Sequence, residues 1–323
     1  MERTRITVTY HQKSAATAGT GSATTGYILA VVSTASAGLA TVVGKWNLES
    51  IGPLLMNSLI FSVASVAMGA VLLPTRGLKA VVTHSRRGWF WLGLFSATSW
   101  LAVWAFWAGV QRMDPSLAAF LNRSEVLIAI MLAMVFLKER FNRVETLGAV
   151  LSIAGIIIMR LTLRVDYSAG FWYVLLGSLF FGLTEFVSKI AVRYVEPVLL
   201  AYVRNTFMAI GYWIVLLSGG VRYDGLEKVW PGVLALGLIG PILSRMVYLL
   251  ALKRLDLSKV AIISQGQPVF VILIALLALG QLPTFREAVG GLFLMVGCLI
   301  MIAGRSRMMD RVNYLRRNRT GES

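Results

Sequence analysis

A chain of 323 residues that is 57% hydrophobic and only 14% charged, with a mean hydropathy of +0.73, lies outside the range of soluble domains. Its net charge of +16 does not signal nucleic-acid binding, because the Lys and Arg residues punctuate apolar runs instead of sharing one soluble face. One cysteine, Cys298, inside an apolar run excludes disulfides and Cys-based metal sites, and two histidines outside such runs give no intramembrane catalytic constellation.

Residues 1–25 are small and polar, without the basic-then-apolar order of a signal peptide, and read as a disordered cytoplasmic tail. A helix needs about 20 apolar residues to cross a bilayer. Ten windows qualify: 26–44, 51–73, 89–111, 115–137, 143–160, 170–192, 197–218, 230–252, 257–279 and 284–303. Some connections are very short, such as Asp114 between the third and fourth windows, so neighbours there form antiparallel hairpins. The segment 304–323 carries six arginines and reads either as a headgroup-binding tail or as a topology anchor.

Most of the 31 Lys and Arg residues fall on the side of the two termini, and the positive-inside rule then places both termini in the cytoplasm. Trp89 and Trp91 at the inner boundary, with Trp172 and Trp230 at the outer one, agree with an aromatic belt.

The chain nearly repeats itself at half its length. A shift of 144 superimposes Gly26 on Gly170, Gly38 on Gly182, Lys45 on Lys189 and Pro53 on Pro197. A shift of 142 superimposes Arg112 on Arg254, Asp114 on Asp256, Glu145 on Glu287, Gly148 on Gly290 and Gly155 on Gly297. Each unit, 26–160 and 170–303, holds five windows. Five is odd, so the second copy enters the membrane from the opposite side. The expectation is an all-α integral membrane protein of ten transmembrane helices in two inverted five-helix repeats. Secondary transporters use this architecture, with the substrate between the halves near the midplane.

The repeated segments MDPSLAAFLNRSEVLIAIMLAMVFLKERFNRVETLGAVLSIAGIIIM and LDLSKVAIISQGQPVFVILIALLALGQLPTFREAVGGLFLMVGCLIMI close the two halves. With the five-plus-five layout, they resemble the EamA-type members of the drug/metabolite transporter superfamily over about residues 26–303. The match is asymmetric. Pro268 stands where the first half has Val126, and Glu139 where the second has Gln281. The resemblance implies carrier-mediated transport, usually export, of small metabolites.

Five ionisable residues lie well inside the windows: Arg123, Glu125, Glu185, Arg204 and Arg245. Each costs roughly 2.5–3.5 kcal/mol at a helix centre unless it faces protein or water. Glu185, Arg204 and Arg245 lie about 10–12 Å in from the cytoplasmic ends and share a level; Arg123 and Glu125 lie nearer the midplane. Glu185 can neutralise Arg204 or Arg245 and tie three helices together. Three arginines against two glutamates still leave one positive charge, an anchor for a carboxylate or phosphate at Arg245 or Arg123. Glu125 and its repeat equivalent Gln267 sit where a central site requires polar groups. Glu125 can carry a proton or pair with Arg123.

Pro268 frees the carbonyl of Ser264 and, beside Gln265, Gly266 and Gln267, marks either a hinge or a simple kink; Pro241 invites the same two readings. Trp100, Trp104 and Trp107 form one face of the third helix, which reads as packing or as a cavity wall for aromatic or cationic groups. The glycines at 148, 155, 290 and 297 permit close contact of the fifth and tenth helices, which read as scaffold.

The sequence reading is therefore a secondary-active carrier of a small molecule, not an enzyme and without a cofactor. It exports an amino acid or small organic anion across the inner membrane by alternating access, with protons or another ion as coupling partner. A homodimer is compatible with it. The alternatives are export of amphipathic or cationic compounds, with Glu125 as counter-ion, and a passive channel.

Overall fold

The computed structural model describes residues 20–82, 85–137, 142–162, 165–191, 193–219, 226–252, 254–255 and 257–320. Among them ten stretches are helical, long and apolar enough to cross a membrane. They are Thr24–Leu48, Pro53–Thr75, Arg86–Gln111, Pro115–Leu132, Arg143–Leu161, Ser168–Ser188, Val198–Ser218, Leu226–Tyr248, Lys259–Leu279 and Phe285–Gly304, here the first to tenth spans. An even number of alternating spans leaves both ends of the described chain on one side, the terminal face.

The outermost helices overrun their expected windows. The first helix begins at Thr20, inside the segment read as a tail, and the last continues to Thr320. Extending an existing helix adds one hydrogen bond per residue fixed and needs no new nucleus. The Arg, Met and Leu residues after Gly304 are also good helix formers. Residues 1–19 and Glu139 lie outside the described residues.

The two halves interleave. The third span packs on the sixth as the eighth packs on the first, and the fourth packs on the sixth as the ninth packs on the first. The second–seventh and fifth–tenth pairs lie across the pseudo-twofold axis. Single residues obey the same rule. A Cβ on Gly38 would sit 2.8 Å from Cβ of Phe270, and one on Gly182 would sit 2.8 Å from Cγ2 of Ile128. Gly38 and Gly182 are repeat equivalents, as are Phe270 and Ile128. In each of the two pairs, the helices approach this closely, at mirror-related depths, only because the glycine carries no side chain.

The fifth–tenth seam is tighter still. A Cβ on Gly148 would lie 2.6 Å from the Gly297 carbonyl oxygen, and one on Gly155 would lie 2.6 Å from that of Gly290. Both helices start on equivalent capping boxes. The Asn142 amide donates to Glu145 Oε2 at 2.9 Å and the Glu145 amide to Asn142 Oδ1 at 2.8 Å. The Thr284 amide and hydroxyl donate to Glu287 Oε2 at 2.8 and 2.7 Å. The buried acids Glu145 and Glu287 thus serve helix starts at opposite ends of this antiparallel seam, since the Asn142 side-chain amide of the first box donates to the Gly304 carbonyl at the far end of the tenth span.

On the face opposite the termini, Lys45 Nζ donates to the carbonyls of Val110, Gln111 and Met113 at 3.0, 3.1 and 3.1 Å. An ammonium group here satisfies carbonyls left open where the third helix ends and complements its negative pole. Lys45→Met is expected to lower the detergent-solubilised protein's stability by about 1.5–3 kcal/mol, the range of charge-assisted hydrogen bonds. Thermal unfolding measures this, and a midpoint equal to that of the wild type would refute the capping role.

Candidate functional site

The fourth and ninth spans are both broken, and at equivalent positions. The fourth consists of helices Pro115–Asn122 and Ser124–Leu137, with Arg123 at the junction. The ninth consists of Leu257–Ser264 and Gln267–Leu279, with Gln265 and Gly266 between them. A shift of 142 carries Arg123 onto Gln265. The ninth break has an evident cause, since Pro268 sits in the first turn of its second half, where its missing N–H costs nothing.

The fourth span has its proline at its start and none at the break, so no local signal announces the interruption. There the Arg123 amide turns back to the Phe120 carbonyl at 3.0 Å, and the Val126 amide to the Arg123 carbonyl at 3.2 Å. Side chains hold the turn. The Asn122 amide nitrogen reaches Glu125 Oε2 at 3.4 Å, and the Ser178 hydroxyl of the sixth span donates to Asn122 Oδ1 at 3.3 Å. The Cys298 thiol donates to the Arg123 carbonyl at 3.3 Å.

Arg123 crosses from one break to the other. Its Nη1 donates to the Ser264 carbonyl at 3.2 Å, the last carbonyl of the ninth span's first half. Its Nη2 donates to Gln267 Oε1 at 2.9 Å and lies 3.4 Å from Glu125 Oε1. Gln267 in turn donates to Thr41 Oγ1 of the first span at 3.3 Å. The Arg123 side chain is 6% exposed, whereas that of Glu125 is 19% exposed despite its depth. The arginine is enclosed by protein, and the carboxylate keeps one side open.

A second group of charges lies nearer the terminal face. The Glu125 carboxylate feels Arg123, Glu185 and Arg245; Tyr248 feels Glu185, Arg245 and Glu125; Arg204 feels Arg245, Tyr212 and Glu185. Glu185, Arg204, Arg245 and Tyr248 come from the sixth, seventh and eighth spans, and their electrostatic neighbourhood extends to Glu125 of the fourth span. Direct pairing of Glu185 with an arginine is not what organises it. Arg204 Cζ lies 5.9 Å and 5.8 Å from the rings of Phe61 and Phe95, with Nε buried and unpartnered. Arg245 lies over the Tyr248 ring at 5.7 Å and is half-buried, and Glu185 is exposed. Arg123 and Glu125 do form an ion pair inside the spans. Aromatic faces stabilise the two other arginines by cation–π attraction and leave their hydrogen-bonding edges less engaged.

The tryptophan face is used by the protein. Trp100 stacks on Tyr212 with centroids 4.8 Å apart, and the Tyr212 hydroxyl donates to the Trp100 carbonyl at 2.7 Å. Trp104 meets Tyr173 edge-on at 5.8 Å, and Trp107 is buried. Pro241 lies in a π-helical segment, Leu238–Ser244, that widens the eighth span. Ser244 and Ser33 exchange hydroxyl-to-carbonyl bonds of 3.2 and 2.9 Å there, tying the widened turn to the first span. Sequence reasoning missed Tyr212, Tyr248, Phe61 and Phe95, because an aromatic residue beside an arginine of another helix leaves no local signature.

Ten spans in two interleaved inverted repeats, each broken at mid-depth beside intramembrane charges, define a membrane carrier fold. The comparisons agree. The EamA-like transporter family matches residues 24–161 and again 168–303, one match per repeat, and the chain belongs to that family. The chain is 21% identical over 276 residues to the "Uncharacterized transporter sll1164" of Synechocystis, covering 79% of this chain and 78% of that one. It is 29% identical over 189 residues to the "Uncharacterized transporter YojE" of Bacillus subtilis, covering 57% and 59%. A solved crystal structure superposes with a TM-score of 0.60 at 18% identity, over 87% of this chain and 97% of that chain, which speaks for the fold alone.

Proposed function

We propose that this transporter is a secondary-active exporter of amino acids or related small organic anions, working by alternating access across the inner membrane with both termini in the cytoplasm. The observation that carries the reading is the shared neighbourhood of Glu125, Glu185, Arg204 and Arg245. Arg204 and Arg245 lie there on aromatic rings beside Glu185, with no carboxylate in direct contact among the described residues. Glu125, deeper in the fourth span, pairs with Arg123 and keeps one side open. A zwitterion fits such a field in one orientation, its carboxylate toward Arg245 and its ammonium group toward Glu125 or Glu185.

Arg245 is the anion anchor in this reading, since its guanidinium has an aromatic neighbour and partial exposure. Gln267, Trp100 and Trp104 frame the inner end of the site. Glu125 and Glu185 are the groups through which an ion gradient or exchange would drive transport. The eighth and ninth spans, widened at Pro241 and broken before Pro268, supply the places where rocking can be absorbed.

A thermal-shift screen of the purified protein against amino acids, organic anions and aromatic cations tests the reading. A ligand at 100 times its dissociation constant contributes about 2.7 kcal/mol. Stabilisation by amino acids or organic anions is the expected result. Stabilisation by aromatic cations alone would overturn it and move the site to the tryptophan face.

A further inference from the structure

Arg123 combines features that a substrate ligand does not need. It is buried at the junction of one broken span, and its guanidinium reaches across the pseudo-twofold axis to the junction of the other. The Ser264 carbonyl that it takes has no amide partner within its own half-helix, because that half ends there. Nη2 lies between Glu125 and Gln267, two residues that the repeat makes equivalent. The equivalent of Arg123 itself, Gln265, is buried at 2% exposure with Oε1 unpartnered, so the cross-tie is made from one side only.

We infer that Arg123 is a positioning residue that bolts the two helix breaks together, with Glu125 as the charge that keeps the bolt in place. A buried guanidinium is tolerated only while its charge is compensated. Removing the Glu125 charge makes the enclosed position unfavourable for Arg123 and favours its withdrawal toward water. The Ser264 carbonyl then loses its donor and the ninth break loosens. Position 267 touches the same Nη2, so a carboxylate there can replace the one lost at 125. The inference concerns the coupling between the breaks and does not depend on which substrate is carried.

Hydrogen exchange of the full-length protein in lipid nanodiscs, followed by mass spectrometry, tests it without a substrate. The amides of Gln265, Gly266 and Val269 are hydrogen-bonded to the Ala261, Ile263 and Gly266 carbonyls, so their protection reports the ninth break. Arg123→Gln and Glu125→Gln are each expected to accelerate exchange there by at least about tenfold, a change of local opening in the opposite repeat. Glu125→Gln combined with Gln267→Glu is expected to restore wild-type protection. A residue that merely fills space, or one that only binds substrate, has no reason to show this rescue by charge relocation. A folded Arg123→Gln protein with wild-type exchange at the ninth break would overturn the inference. So would a double variant that exchanges as fast as Glu125→Gln alone. The two Glu125 variants retain Arg123 and decide the matter even where Arg123→Gln yields no folded protein.

Discussion

Replacing Arg245 by Gln is expected to reduce ligand binding and transport by on the order of 100-fold or more while leaving the protein folded. Losing one partner of a desolvated charged contact costs about 2–5 kcal/mol, and a carboxylate substrate facing glutamine keeps only a neutral donor. Folding is spared because Arg245 is half-buried and lies over Tyr248 without an ion-pair partner to orphan. Arg245→Lys restores the charge but not the planar fork, and an intermediate loss is expected. Uptake into proteoliposomes, paired with the thermal shift for the same ligand, measures both effects. Wild-type transport by the glutamine variant would end the arginine-anchor reading.

The largest effect on stability is expected at the fifth–tenth seam. Gly155→Ala places a methyl group 2.6 Å from the Gly290 carbonyl oxygen. That atom belongs to backbone, so no side chain can rotate away, and the helices must separate. Overpacking of this kind costs about 3 kcal/mol at the upper end of its usual range. Separation would also disturb the neighbouring close approach of Gly148 and Gly297. Gly93→Ala, in the third span, is the matched control, because a Cβ there meets nothing within 4 Å. It is expected to be neutral or to stabilise the helix by up to about 1 kcal/mol. Thermal unfolding of the two variants in one detergent separates seam packing from helix propensity; equal midpoints would mean that the seam is not tight.

Much of this architecture is legible in the residues alone because a membrane leaves the chain few options. Ten apolar runs of spanning length, five on each side of an internal repeat, require an inverted pair whatever the side chains do. The glycine spacing at 148, 155, 290 and 297 points to the fifth–tenth contact, since glycine at sevenfold spacing marks one helix face. Depth, counted by rise per residue, also brought Glu185, Arg204 and Arg245 to a common level.

Partnerships were a different matter. The charge count allowed Arg204 to pair with Glu185, and packing instead set it between Phe61 and Phe95. The alignment showed a proline in one half only, and both halves are nonetheless broken, because Asn122, Glu125 and Ser178 hold the fourth span's turn where Pro268 begins the ninth's second helix. Arg123 read either as a substrate anchor or as the partner of Glu125, and beside that carboxylate it also holds a carbonyl 141 residues away, which no spacing announces. Hydropathy, repeat register and depth are properties of one helix at a time, so the amino-acid order determined the ten spans, their inversion and the level of each charge. Which groups meet depends on helix rotation and crossing, which is set by packing against helices distant in sequence. Only the tertiary structure could decide that the two breaks face each other and that Arg123 joins them.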